Sequence, residues 1–217
     1  MKQKTKKEFF TAACLLLAFA LWTVLLRRVD VQEIGPRGSA VGFATLNGAF
    51  HALTGANMKL YVITDWLGLV PVATAPAFAV LGLVQWIQRR SLLKVDRDLF
   101  ALGGFYLAVM GVYVLFECVV INRRPVLIDG FLEASYPSST TLLVLCVMPT
   151  TMMQLWARIK RTALRRVLLI ALLAFTAFMV VGRLLCGVHW LTDIIGGALL
   201  SAGLVTLYHS FATLPET

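Results

Sequence analysis

The chain has 217 residues, of which 59% are hydrophobic and only 14% are charged. Average soluble chains are roughly 45 to 50% apolar and about 25% charged, so this composition is typical of a membrane protein. Because a membrane-spanning helix needs about 20 mostly apolar residues, the length suffices for six spans joined by short loops. It leaves no space for a separate soluble catalytic domain, so any active site must be built at the helix ends.

The net charge of +9 does not indicate a nucleic-acid partner, because the basic residues fall between apolar runs and form no single basic face. Membrane orientation explains the charge better. The cysteines lie in or beside apolar segments and have no C-x-x-C spacing, so they predict neither a zinc site nor a disulfide framework. The four are Cys14, Cys118, Cys146 and Cys186.

Hydropathy predicts an all-α protein that forms a single membrane-embedded domain over residues 1–217. The basic start of the chain resembles a signal peptide, but it has no clear small-residue cleavage site, and we interpret it as part of a retained first helix. Pro71 and Pro76 predict a kink in the second span. The six spans lie near residues 9–26, 66–87, 99–121, 141–156, 167–181 and 191–211.

Between the first two spans, Phe43, Leu46, Phe50 and Leu53 recur at helical spacing. This pattern is typical of a helix that lies in the membrane interface. An irregular loop packed over the bundle is the alternative.

The basic residues predict the orientation, because cytoplasmic loops are enriched in Lys and Arg. Of the 20 basic residues, 13 fall on the side that holds both chain termini and 7 fall on the other side. Both termini are therefore expected to be cytoplasmic. The seven on the outer side are Arg27, Arg28, Arg37, Lys59, Arg123, Arg124 and Arg183.

Three short outer segments gather polar residues that a purely structural bundle does not need. They are Arg-Pro at 124–125, Tyr-Pro-Ser-Ser-Thr at 136–140, and Gly-Arg at 182–183, which is followed by His189 and Asp193. His189 and Asp193 are four residues apart at the start of the last helix, so they are expected to share a helical face. The carboxylate can then accept a hydrogen bond from one imidazole nitrogen. The other nitrogen is left free to attack an electrophile.

The remaining polar residues of these segments suit an anion. Arg124 and Arg183 supply planar, permanently charged groups for phosphate oxygens. Ser138 and Ser139 open the fourth span, where backbone N–H groups and the helix dipole favour a negative charge. Two arginines, a helix N-terminus and an oriented histidine are typical of a phosphoryl-transfer site, because each stabilises charge on the transferring group.

These segments resemble the three motifs of the type 2 phosphatidic acid phosphatase family, the lipid phosphate phosphatases related to vanadium haloperoxidases. The family pattern is K-x6-R-P, P-S-G-H and S-R-x5-H-x3-D, and the last motif fits from Gly182 to Asp193 with only its leading serine changed. The resemblance implies a six-helix membrane bundle with its active site at the extracytoplasmic helix ends and no metal or cofactor. It also implies a phosphohistidine on His189, oriented by Asp193, and a phosphate site made by Arg124, Ser138, Ser139 and Arg183.

The sequence departs from the family pattern at two functional positions. Glu117 replaces the lysine, and it shares a face with Arg124 if the third helix continues that far. Thr140 replaces the histidine that protonates the leaving oxygen, and a hydroxyl cannot donate a proton near neutral pH. General acid catalysis contributes about 10²- to 10⁴-fold, whereas a phosphate leaving group, with a second pKa near 6, needs no proton. We therefore expect a preference for diphosphates. His51 is a weak candidate for the missing acid, and His209 lies near the opposite end of the last helix.

The sequence thus predicts a plasma-membrane lipid phosphatase of bacterial type, with its site facing outward. Its expected partners are the bilayer and a lipid phosphate such as phosphatidic acid, phosphatidylglycerophosphate or a polyprenyl diphosphate; the oligomeric state stays open. One alternative is a catalytically impaired pseudophosphatase that still binds lipid phosphates or a protein partner. The other is a phosphotransferase, which nothing in the sequence separates from a hydrolase.

Overall fold

The computed structural model describes residues 2–213, except for the side chains of Lys2 and Lys4. Residues 1 and 214–217 of the predicted domain lie outside the described part. So do the side chains of Lys2 and Lys4, which count among the 13 basic residues of the inner side. The described residues form eight α-helices, which confirms the all-α prediction. The helices are α1 (Lys2–Leu26), α2 (Ala44–Thr54), α3 (Met58–Leu67), α4 (Leu69–Arg89), α5 (Arg97–Cys118), α6 (Ser139–Arg158), α7 (Thr162–Leu185) and α8 (Leu191–Ala212).

Within the described part, six segments are long and apolar enough to cross a membrane, as predicted. The second span is longer than expected, because α3 and α4 together cover Met58–Arg89. The break between them falls at Gly68, close to Pro71, which has no N–H to continue the helical ladder; Pro76 is accommodated inside α4. Hydropathy missed α3 because charged residues such as Asp65 lower the apolar average there. Residues of this extra helix contact Arg183.

Other span boundaries also differ from the prediction. The two short spans extend at both ends, to Ser139–Arg158 and Thr162–Leu185, and this brings Arg183 inside α7. The third span instead ends at Cys118, before residue 121, because the chain beyond it turns into an extended hairpin.

The segment between the first two spans contains the predicted helix, α2, and not the irregular loop. Its buried residues include the polar Asn47, whose Nδ2 donates to Thr192 Oγ1 at 2.9 Å, while Thr192 N donates back to Asn47 Oδ1 at 3.2 Å. Its apolar Leu46 and Leu53 are exposed. An amphipathic helix that turns its apolar side outward suits the membrane interface, and its amide side chain fixes it to the start of α8.

Helices α6 and α8 form the centre of the bundle. Half of the residues in their most apolar stretches are buried, compared with at most 22% in the other spans. Small residues on α8 allow the close approach: a Cβ atom at Gly196 would lie 2.4 Å from the Tyr136 ring, and one at Gly197 would lie 3.2 Å from the Ser138 carbonyl oxygen. These glycines therefore allow close packing at the start of α8.

The two ends of the bundle hold different parts of the chain. At one end the start of α1 meets the end of α8, where the rings of Phe9 and Phe211 pack edge to face at 5.0 Å. At the other end Trp22 Nε1 donates to the Thr192 carbonyl at 3.2 Å. The functional segments all lie at this second end, opposite the basic loops that join α4 to α5 and α6 to α7.

Candidate active site

A hairpin between α5 and α6 carries several residues of the site. Its tip is Asp129-Gly130, both with positive φ, and Ile128 and Phe131 exchange two backbone hydrogen bonds across it. This is the geometry that Asp-Gly turns favour. The pairing brings Asn122 and Ser135 together at the base, where Ser135 N donates to the Asn122 carbonyl at 3.0 Å. An Asp-Gly pair between apolar residues was the sequence signal for this hairpin, and it was missed.

His189 lies at the base of that hairpin and is almost fully buried. It precedes α8 instead of beginning it, so the predicted shared helical face with Asp193 is wrong. The imidazole Nδ1 is 3.9 Å from Asp193 Oδ2, too long for a hydrogen bond. Instead Nδ1 is 3.2 Å from the Ser135 carbonyl and 3.1 Å from Ser135 Oγ, and Ser135 Oγ donates to Asp193 Oδ2 at 2.5 Å. Ser135 thus connects the two residues, a role that the sequence did not reveal.

These contacts define the protonation of His189. A carbonyl oxygen can only accept, so its contact with Nδ1 favours the tautomer with the proton on Nδ1 and the lone pair on Nε2. Burial, together with the guanidinium groups of Arg124 and Arg183, holds the pKa of His189 well below its ordinary value of 6.5. The imidazole is therefore neutral near pH 7. Nε2 is buried and has no hydrogen-bond partner among the described residues, so it is available as a nucleophile.

Both carboxylate oxygens of Asp193 accept hydrogen bonds at the start of α8. Its Oδ2 accepts from the Trp190 backbone N–H at 2.9 Å, and its Oδ1 accepts from Asn122 Nδ2 at 3.3 Å. Together with the Ser135 contact, these bonds hold a completely buried carboxylate in one position. The carboxylate caps the helix and anchors the hairpin at the same time.

Arg124 and Arg183 both lie beside the ring of Tyr61, with their guanidinium carbons 5.9 Å and 5.0 Å from its centre. Both are buried. Arg124 Nε is 3.0 Å from Glu133 Oε2, but not in hydrogen-bonding alignment. Arg124 Nε and Nη1 and Arg183 Nε have no hydrogen-bond partner within residues 2–213. Arg124 Nε already lies beside the Glu133 carboxylate, whereas Arg124 Nη1 and Arg183 Nε have neither a hydrogen-bond nor an ion-pair partner in the described chain. Since buried donors are nearly always paired, these two donors fit an anionic ligand.

The expected partnership between Glu117 and Arg124 is wrong. Helix α5 ends at Cys118, so the two residues do not share a helical face, and the carboxylate beside Arg124 belongs to Glu133. Glu117 is exposed and lines a small cavity together with His189 and Ser139. His51 packs edge to face on Trp190 at 5.6 Å, and it is not among the residues that line this cavity in the described part of the chain.

The serines and the threonine of the second motif have different surroundings. Ser138 is fully buried, and its N–H donates to the Asp193 carbonyl at 3.1 Å while its hydroxyl accepts from Thr141 at 3.0 Å. Ser139 is the first residue of α6 and is partly exposed. Thr140 Oγ1 accepts from Arg183 Nη2 at 2.5 Å. The helix start is thus where the sequence predicted it, with Ser139 nearer to the open cavity than Ser138.

Helix α3 contributes two residues that sequence reasoning missed. Asp65 Oδ1 accepts from Arg183 Nη2 at 3.1 Å, and Thr64 Oγ1 lies 3.4 Å from Arg183 Nη1. A charged residue inside an apolar span is a functional candidate by default, and that signal was available for Asp65. Asp65 and Thr140 also line a cavity of about 910 Å³ between α4, α5 and α6, whose walls are otherwise mostly apolar.

Comparisons with known proteins agree with this architecture. The family model of the PAP2 superfamily matches residues 73–214, a region that excludes α3. Among solved structures, the chain is similar to the first transmembrane PAP2-type phosphatidylglycerolphosphate phosphatase from Bacillus subtilis. That match has a TM-score of 0.54 and 20% sequence identity, and it covers 92% of this chain and 94% of that one. No curated protein sequence matches. The predicted family resemblance and the six-span fold are confirmed.

Proposed function

The chain belongs to the PAP2 superfamily, and from this premise we propose that it is a membrane lipid phosphatase with His189 as its nucleophile. Membership supports the phosphatase class, and the six spans support an integral membrane protein. One observation carries the proposal. Buried N–H groups of Arg124 and Arg183 lack hydrogen-bond partners in the described chain, and so does His189 Nε2, which carries the lone pair of that imidazole.

The proposed reaction has two steps. In the first, His189 Nε2 forms a bond to phosphorus, the bond from phosphorus to the leaving oxygen breaks, and Arg124 and Arg183 bind the phosphate oxygens. In the second, water attacks the phosphohistidine, the P–N bond breaks, and inorganic phosphate and the free imidazole result. Asp193 acts through Ser135 to orient the imidazole, and Ser139 offers the N-terminus of α6 to the anion, with Ser138 supporting that turn.

The nucleophile is tested by trapping a covalent intermediate. Purified protein in detergent, quenched during turnover of ³²P-labelled lipid phosphate, is expected to carry acid-labile label that His189→Ala abolishes. His209→Ala is the matched control, because His209 lies at the opposite end of the bundle beside Glu8. Label that persists in His189→Ala would overturn the proposal. Substrate binding with neither label nor phosphate release would instead support the pseudophosphatase, which the loss of the acid at Thr140 favours.

The substrate is the second question. Thr140 cannot protonate a leaving alkoxide, so turnover needs either a leaving group that departs without a proton or a donor elsewhere in the site. The first case predicts faster hydrolysis of a polyprenyl diphosphate than of phosphatidic acid, and comparing both substrates on one preparation tests it. A phosphatidic acid rate equal to or above the diphosphate rate contradicts this preference.

The membrane orientation belongs to the same proposal. The excess of basic residues at the end opposite the site favours cytoplasmic termini and a site at the outer leaflet of a bacterial plasma membrane. A fluorescent protein fused to the C-terminus is then expected to fold and emit in the cytoplasm. A fusion that is silent there, while a periplasmic reporter at the same place is active, would reverse the orientation.

A further inference from the structure

Two of the substituted motif positions, Thr140 and Gly182, lie near α3. A Cβ atom at Gly182 would lie 2.7 Å from Thr64 Cγ2, so the serine of the family pattern would collide with α3 in its present place. Thr140 Oγ1 and Asp65 Oδ1 contact the same nitrogen, Arg183 Nη2, at 2.5 Å and 3.1 Å. The substitutions at residues 140 and 182 therefore occur together with a carboxyl group, that of Asp65, which lies within two hydrogen-bond lengths of Thr140, the position where the family's acid is missing.

Asp65 lines a different cavity from the one that His189 lines. His189 lines the small cavity, whereas Asp65 and Thr140 line the large apolar one, and Ser139 lines both. A phosphate held at Ser139 by the arginines would have the nucleophile on one side and the apolar cavity on the other. Because displacement at phosphorus is in line, a lipid chain in that cavity places the leaving oxygen near Asp65.

Asp65 is accessible to a ligand and has charged groups around it. Its side chain is 56% exposed, so a ligand can reach it. The groups around it are Arg183 on α7, Tyr61 one turn earlier on α3 and, also beside the Tyr61 ring, Arg124 with Glu133.

We propose that Asp65 is the catalytic residue that donates a proton to the leaving oxygen, in place of the acid absent at Thr140. This inference rests on the proposed function. As the bond between His189 Nε2 and phosphorus forms, the electrons of the breaking P–O bond pass to the leaving oxygen, which takes the proton of the Asp65 carboxyl group. In the second step the Asp65 carboxylate takes a proton from the attacking water as the P–N bond breaks. Both residues return to their starting states.

Leaving-group dependence separates this role from simple support of Arg183. Decyl phosphate releases a strongly basic alkoxide that needs a proton, whereas 4-nitrophenyl phosphate releases a weakly basic phenolate that does not. For Asp65→Asn we expect kcat/KM to fall about 10²- to 10⁴-fold on decyl phosphate and less than about tenfold on the nitrophenyl ester. A loss of Arg183 support would lower both rates equally, and that outcome overturns the inference.

Four further measurements complete the test. Asp65→Glu is expected to recover part of the decyl phosphate activity, and Asp129→Asn, an exposed carboxyl change at the hairpin tip, is expected to change neither rate. If Asp65→Asn does not fold, the wild-type protein suffices, because a steep dependence of its rate on leaving-group basicity overturns the inference. His189→Ala distinguishes failure of the proposed function from failure of the role of Asp65, because activity retained in His189→Ala refutes the proposed function. Equal losses in Asp65→Asn, with His189→Ala inactive, refute only the role of Asp65.

Discussion

Gly182 of α7 packs against Thr64 of α3 so closely that a Cβ atom at residue 182 would lie 2.7 Å from the threonine methyl carbon. The contact sets the distance between the two helices at the level of the site. It therefore also positions Asp65, the next residue of α3, against Arg183.

Replacing Gly182 by serine tests this contact. The added side chain is expected to push α3 away, lower stability by about 1–3 kcal/mol through overpacking, and weaken the hydrogen bond from Arg183 to Asp65. Thermal unfolding in detergent and kcat/KM on an alkyl phosphate both measure the effect. Gly111→Ala is the control, because nothing lies within 4 Å of a Cβ atom at that position. Unchanged stability and activity in Gly182→Ser would show that α3 adjusts freely.

Ser135→Ala removes the connection between His189 and Asp193. The imidazole keeps its contact with the backbone carbonyl of residue 135, but it loses the hydroxyl that links it to the buried carboxylate. A small misplacement of a reacting group lowers rates by about 10²-fold, so we expect kcat to fall by that order while the protein stays folded. Kinetics on 4-nitrophenyl phosphate, with circular dichroism as the folding check, give the answer. A rate within a few-fold of the wild type would contradict a positioning role for Ser135.

Arg124→Lys, compared with Arg123→Lys, tests whether the buried guanidinium binds phosphate. Arg124 is buried and has two donor nitrogens without hydrogen-bond partners in the described chain, whereas Arg123 is exposed and donates to the Leu132 carbonyl. A lysine cannot reproduce the planar fork, and removing one donor to a charged transition state lowers kcat about 10²- to 10³-fold. We expect that loss for residue 124 and almost none for residue 123. Equal effects at both positions would argue against a specific phosphate contact.

The pH dependence follows from the lowered pKa of His189. Only the neutral imidazole can attack, so activity is lost as pH falls through the pKa of the folded protein. Because burial and two arginines lower that pKa well below 6.5, the acidic limb of kcat/KM should lie well below pH 6.5. Arg124→Gln removes one of the lowering charges and should move the limb to higher pH. An acidic limb at or above 6.5 in the wild type would contradict the neutral, buried histidine.

Composition and hydropathy were sufficient for the fold class, because six apolar stretches leave few alternatives to a helical bundle. The motif spacing predicted His189, Arg124 and Arg183 as site residues, and the structure brings these three to one end of the bundle. The partners of these residues were not predictable in the same way. Ser135 reaches His189 only because the hairpin folds back over it, and Asp65 reaches Arg183 only because α3 extends the second span. Contacts between segments this distant in sequence depend on packing that local patterns do not encode.

The buried N–H donors of Arg124 and Arg183 that lack hydrogen-bond partners have a consequence for the stability of the whole molecule. An unsatisfied buried polar group destabilises a fold by about 1–3 kcal/mol, so this bundle is less stable than an apolar version of the same end would be. An anion that binds in the site pairs with these donors, removes that destabilisation and raises the resistance of the protein to heat. Conversely, Arg124→Met is expected to give an inactive protein that survives higher temperatures. The buried guanidinium nitrogens that turnover requires are thus the same groups that lower the thermal stability of the empty protein.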